Sequence, residues 1–216
     1  MHRIFRARFM RDEELNSIVY SKNVIELITV ANEFCGFLER AEEMESSDFL
    51  SRLQKLLPLL YLKTSLLPKF ESTWDDELEK YVTEMDYNVI QQNVIHHLGA
   101  NDDYQEVFIS GMQFSETALT ASISENIADI YQDIKDLVLS FRTLNEEVME
   151  QALGEMQINF SQNWGQKLVN CLRAVHNVIY SENNADDESD EKRIKDIANT
   201  NRKPDWLNDR FSNQDE

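Results

Sequence analysis

Residues Ser122–Phe141 read SISENIADIYQDIKDLVLSF. Within them Ile123, Ile127, Ile130, Tyr131, Ile134, Leu137, Val138 and Phe141 recur at steps of three and four, which places them on one face of a helix with 3.6 residues per turn. Ser122 stands where an N-cap belongs and Glu125 follows three residues later. In that capping-box pattern the serine oxygen accepts the Glu125 amide while the glutamate reaches back. A helix so one-sided must bury its stripe against other elements, and its neighbours in sequence decide against what.

On the N-terminal side, Val24, Leu27, Ile28, Ala31, Phe34, Cys35, Leu38 and Ala41 mark a helix over Lys22–Met44, with Ser21 as its expected N-cap. Phe49, Leu50, Leu53, Leu56, Leu57 and Leu60 mark a second, with Asp48 in its first turn, where the positive helix end favours an acid. Pro58 is predicted to bend or divide it, since proline removes an amide and presses on the preceding turn. A third candidate begins at Tyr81 and stops at Gly99. Tyr104–Met112 contains the strand-like Val107, Phe108 and Ile109, but the sequence shows no pairing partner, so an extended connector is predicted. After Asn145 a long pattern runs through Trp164 and Cys171 towards Tyr180, as one element approaching ~50 Å or two helices in line. The prediction is all-α: an antiparallel helical bundle-like domain of about five to seven helices. A split near residues 99–115 into two helical subdomains is the alternative.

The chain has 216 residues with five glycines and three prolines, too few for a Gly-rich nucleotide fold or a turn-dense sandwich. Three regions are expected. Residues 1–14 form a basic arm carrying Arg3, Arg6, Arg8 and Arg11 among Ile4, Phe5, Phe9 and Met10. It reads as an extension ahead of a start at Met10, or as an arm that touches an anionic surface. Residues 15–181 are expected to be a single helical domain, and residues 182–216 an acidic, mostly disordered tail. The formal net charge is −19, of which −5 falls in residues 181–216 and −14 before them. Such acidity repels nucleic-acid phosphate and anionic membranes, so neither is an expected partner, with a reservation for the basic arm. It suits a protein partner with a basic surface. Cys35 and Cys171 are read as free, buried small hydrophobes. With no apolar run near the ~20 residues of a membrane span and no signal-peptide pattern, a cytoplasmic location is expected.

No cofactor is expected, although acidic bundles invite a divalent cation. Asp129 and Asp133 share a helix face with Asp136 close by, and Glu84 or Asp86 from another helix are candidates to complete an oxygen ligand set. The competing reading is a solvated outer face. Neither Glu-x-x-His nor His-Glu-x-x-His occurs. His96 and His97 precede Gly99, with Ser110 and Ser115 nearby, yet no nucleophile turn or orienting third residue accompanies them. They are read as one surface and one half-buried histidine. Trp164 is assigned to the core, whereas Trp74, in an acidic link, is the candidate exposed interaction anchor.

The layout of Ile25–Leu38 (IELITVANEFCGFL), Phe49–Tyr61 (FLSRLQKLLPLLY) and Ile127–Leu137 (IADIYQDIKDL) resembles a family of uncharacterised all-helical bacterial proteins carrying a domain of unknown function, over about residues 20–180. The resemblance implies a bacterial helical domain and transfers no catalytic residue. The leading functional expectation is a noncatalytic protein-interaction or adaptor-like domain. One alternative is a metal-binding protein or metal-dependent hydrolase built on the carboxylates above. Another is a small-molecule site near Tyr87, Tyr131 and Trp164.

Overall fold

The structure, a computed structural model, describes residues 17–70, 78–106 and 119–181. The basic arm, Trp74, Ser110, Ser115 and the acidic tail lie outside the described residues. Six α-helices are present among the described residues: α1 (Lys22–Glu39), α2 (Ser46–Ser65), α3 (Glu84–Leu98), α4 (Ile123–Arg142), α5 (Glu146–Asn159) and α6 (Gly165–Ser181). The helical core lies in the unit that ends at Val178.

The most one-sided sequence stripe becomes the centre of the molecule. Helix α4 packs against α1, α3 and α5, and its Ile123, Ile127, Ile130 and Ile134 are wholly inaccessible. Helix α1 contributes Val24, Leu27, Phe34 and Leu38 to the same core, and α2 contributes Phe49, Leu53, Leu57 and Leu60. At roughly 1.5–3 kcal/mol for each large side chain removed from water, these positions dominate the favourable side of folding. The all-α expectation holds, with one small addition.

That addition is an antiparallel pair, β1 (Asp103–Gln105) and β2 (Thr120–Ser122), with Tyr104 opposite Ala121. The expected connector therefore has a strand partner, contributed by the residues that lead into α4. Asp102 fastens the junction: Oδ1 accepts the Ser124 amide at 2.8 Å, and Oδ2 accepts the Ser122 and Ser124 hydroxyls at 2.8 and 2.7 Å. The first helix amides have no partner within the helix, so an acid that accepts from them there is electrostatically favoured. Ser122 also accepts the Glu125 amide at 3.3 Å.

Other local expectations change. Ser21 occupies the N-cap of α1 without a side-chain cap bond, and its buried Oγ has no partner. Helix α1 ends at Glu39, and Ala41–Glu43 form a separate 3-10 turn. Pro58 does not divide α2. Its ring lies on the exposed side, while the buried Leu57 and Leu60 beside it hold the helix in register. Helix α3 begins at Glu84 rather than Tyr81, behind a reciprocal cap in which Thr83 accepts the Asp86 amide and Asp86 accepts the Thr83 amide. It ends at Gly99, whose φ of 54° a residue with a side chain adopts only at a cost.

The long C-terminal pattern is two helices in line, joined by a π-helical turn at Phe160–Trp164. The widened turn sets Trp164 fully into the core and against Phe160, ring centroids 4.7 Å apart and planes tilted by 60°. Gly165 follows because a Cβ there would overlap the Phe160 carbonyl oxygen, the acceptor of the Gly165 amide.

Candidate functional site

Helix α1 carries more apolar surface than its neighbours cover. Beyond the buried stripe, Ile25, Ile28 and Thr29 form the floor of a groove of about 790 Å³. Leu56 and Leu59 of α2, and Val138 and Phe141 of α4 with Leu144, line it as well. Val19 and Tyr20, in the 3-10 turn before α1, also line it. Ile25 is 52% exposed, Leu59 39% and Leu144 78%. Single exposed apolar residues are ordinary, but a concave set drawn from four elements is the form of a binding surface.

Leu144 adds a separate signal. Its φ is 56°, the one left-handed non-glycine residue among those described. Holding a bulky side chain there costs about 1–3 kcal/mol, which glycine would avoid. The turn between α4 and α5 instead keeps a leucine and projects it at the groove rim. Glu33 and Arg142 supply the formal charges of the lining, with neither histidine nor cysteine beside them.

The five candidate metal ligands do not converge. Asp129 accepts the Tyr87 hydroxyl at 2.9 Å and pairs with Lys167. Asp133 accepts the Asn159 amide at 3.1 Å. Asp136 is buried and uses one oxygen, Oδ1, to accept the backbone amides of Tyr81 and Val82 at 2.9 and 3.1 Å. Asp86 caps α3, and Glu84 is exposed in its first turn. Asp133 and Asp136 share a crevice of about 20 Å³ with Lys80 and Glu155, which Asp129, Glu84 and Asp86 do not line. Among the described residues no three His, Cys, Asp or Glu are grouped as a metal ion would require. Helical spacing put the aspartates on one side of α4; the Tyr87 hydroxyl of α3, the Asn159 amide of α5, Lys167 of α6 and the Tyr81 and Val82 backbone amides, invisible to that spacing, face them.

Burial pushes the Asp133 carboxyl up to about 6 from an ordinary 3.8, outweighing the Asn159 hydrogen bond and the nearby Lys80. Asp136 is also raised by burial, against the two backbone donors. Because the native state holds its Asp133 proton to higher pH than the unfolded chain does, stability from this group is present below about pH 4. It is lost as pH rises towards 6. Asp133→Asn, which keeps an acceptor for Asn159, is expected to raise stability at pH 7 by about 1–3 kcal/mol and flatten its pH dependence between 4 and 6. Urea unfolding at pH 4, 5, 6 and 7 measures both.

The histidines divide as expected: His96 is exposed and His97 is buried. The His97 ring stacks on Phe49 at a centroid distance of 4.2 Å. Its Nε2–H donates to the Ala41 carbonyl at 2.8 Å and its Nδ1 accepts from Ser46 at 3.2 Å. Both nitrogens are thereby spent on joining α3 to the Ala41–Glu43 turn and to the start of α2. Both cysteines are buried and free, and burial pushes the Cys35 thiol up to about 12, which suppresses thiolate chemistry. The aromatic site expected near Tyr87, Tyr131 and Trp164 is not formed: Tyr131 donates to Glu39 at 2.9 Å, Tyr87 to Asp129, and Trp164 is sealed in the core. None of the three lines the groove.

The model of a family described as a domain of unknown function, DUF5063, matches residues 18–181. The chain belongs to this family. The DUF5063 region takes in all six helices and every residue of the groove, and leaves the basic arm and the acidic tail outside. The crystal structure of protein BF1032 from Bacteroides fragilis is similar in fold, with a TM-score of 0.67 and 48% sequence identity over 76% of this chain and 96% of that one. No curated protein matches the chain. No helix among the described residues is long and apolar enough to cross a membrane.

Proposed function

We propose that this DUF5063 protein is a noncatalytic, adaptor-like interaction domain of the cytoplasm. In this reading its groove on α1 takes a partner segment with apolar anchors and basic flanks. The observation that carries the reading is the groove itself, a concave apolar surface with an exposed leucine held left-handed at its rim. Three or four anchors at ~1.5–3 kcal/mol each give about 5–10 kcal/mol before the costs of association. That is the scale of a reversible contact. The formal charge of −19 favours a basic partner and speeds its encounter. Two buried, unpaired cysteines suit a reducing compartment.

Co-purification from native lysate at low and moderate salt tests the reading, using the wild-type chain beside Ile25→Glu. A carboxylate in the groove is expected to lower capture about tenfold, and added salt is expected to weaken what remains. The same proteins recovered equally by both chains at both salts would overturn it.

A further inference from the structure

We propose that the basic N-terminal arm of this chain, residues 1–14, docks in the groove as a tethered occupant that a partner must displace. The inference rests on the groove being an interaction site and names what regulates it.

Chain continuity is the first reason. The described chain begins at residue 17, and Val19 and Tyr20, two and three residues later, already line the groove. Phe9 lies eight residues before Ser17, within an extended reach of about 27 Å. The floor from Ile25 to Glu33 extends only about 12 Å along α1. The arm is thus attached at the site and long enough to cover it.

Chemistry is the second. Ile4, Phe5, Phe9 and Met10 supply apolar anchors between Arg3, Arg6, Arg8 and Arg11. Asp12, Glu13 and Glu14 follow, so residues 1–14 carry a charge of +1 and the remainder of the chain −20; the arginine-bearing part of the arm, Met1–Arg11 at +4, is the part drawn towards the acidic body that holds the groove. Glu33, exposed in the lining, offers an arginine a carboxylate at the end of the apolar floor. Tethering makes a weak contact sufficient: a short linker gives an effective concentration of order millimolar, so a segment binding at ~1 mM is substantially seated. The family match begins at residue 18. The groove lies within the matched residues and the arm ahead of them.

The test is photo-crosslinking in the full chain, with a benzoylphenylalanine in place of Phe9 and an equal mixture of isotopically light and heavy protein. The expected result is cross-links within one chain to Ile25, Leu59 or Phe141, reduced about tenfold by Ile25→Glu and likewise by Leu144→Glu. Ile25 and Leu144 are more than half exposed. Retention of the far-ultraviolet helical spectrum identifies the variants fit for comparison. Cross-links that join light to heavy chains, fall outside the groove, or persist undiminished in both variants would overturn the proposal. If the cross-links fail while Ile25→Glu still abolishes partner capture, the arm alone is wrong; if both fail, the groove reading falls with it.

Discussion

Asp136→Ala is expected to lower stability by about 2–4 kcal/mol, while Asp136→Asn is expected to leave it unchanged or raise it. Both amides held by Asp136 go to the same oxygen, Oδ1. An asparagine retains that acceptor and sheds the burial cost that raises the carboxyl pKa. Alanine leaves the Tyr81 and Val82 amides unpaired and loosens the strand of chain carrying Lys80, whose ammonium pairs with Glu155. Urea unfolding at pH 7 separates the cases. Equal losses in the two variants would show that the negative charge itself matters, through the nearby Lys80 ammonium.

Gly165→Ala carries the second large effect, a loss of about 1–3 kcal/mol through overpacking. Alanine ordinarily improves a helix position by about 1 kcal/mol over glycine. Here the added methyl meets the Phe160 carbonyl oxygen and the Phe160 ring. To relieve the clash the π-turn must close up, which pulls Trp164 out of the core and Phe160 away from Tyr61. A blue-shifted buried tryptophan emission that moves to longer wavelength would accompany the lower unfolding midpoint. Unchanged stability would mean that the turn is not required.

How far the sequence discloses this molecule depends on whether the deciding partner is local. The α4 stripe, the α1 stripe and the Gly99 stop rest on spacing and backbone freedom within one segment, and the structure reproduces them. The pairing of Tyr104 with Ala121 spans a separation that no local pattern records, and three-residue strands are too short to alternate visibly. The π-turn is a one-residue widening inside a continuous apolar run, and spacing at three and four absorbs it without a trace. The surroundings of the carboxylates are hidden from the sequence for the same reason. Spacing showed that Asp129, Asp133 and Asp136 lie near one another, but Lys167, Asn159 and the Tyr81 amide come from elsewhere. The groove was the least legible feature, because Ile25, Leu59 and Leu144 stand outside the apolar stripes and only the fold gathers them.

The groove as binding surface is the claim on which the rest depends, and a photoreactive side chain placed at Leu59 interrogates it directly. Irradiated in cell extract, this chain should form adducts with a partner, and irradiated alone it should capture its own residues 1–14. Both products should fall about tenfold when Ile25→Glu is added. An adduct pattern unaltered by that carboxylate, or the absence of any adduct in extract and in isolation, would contradict the account.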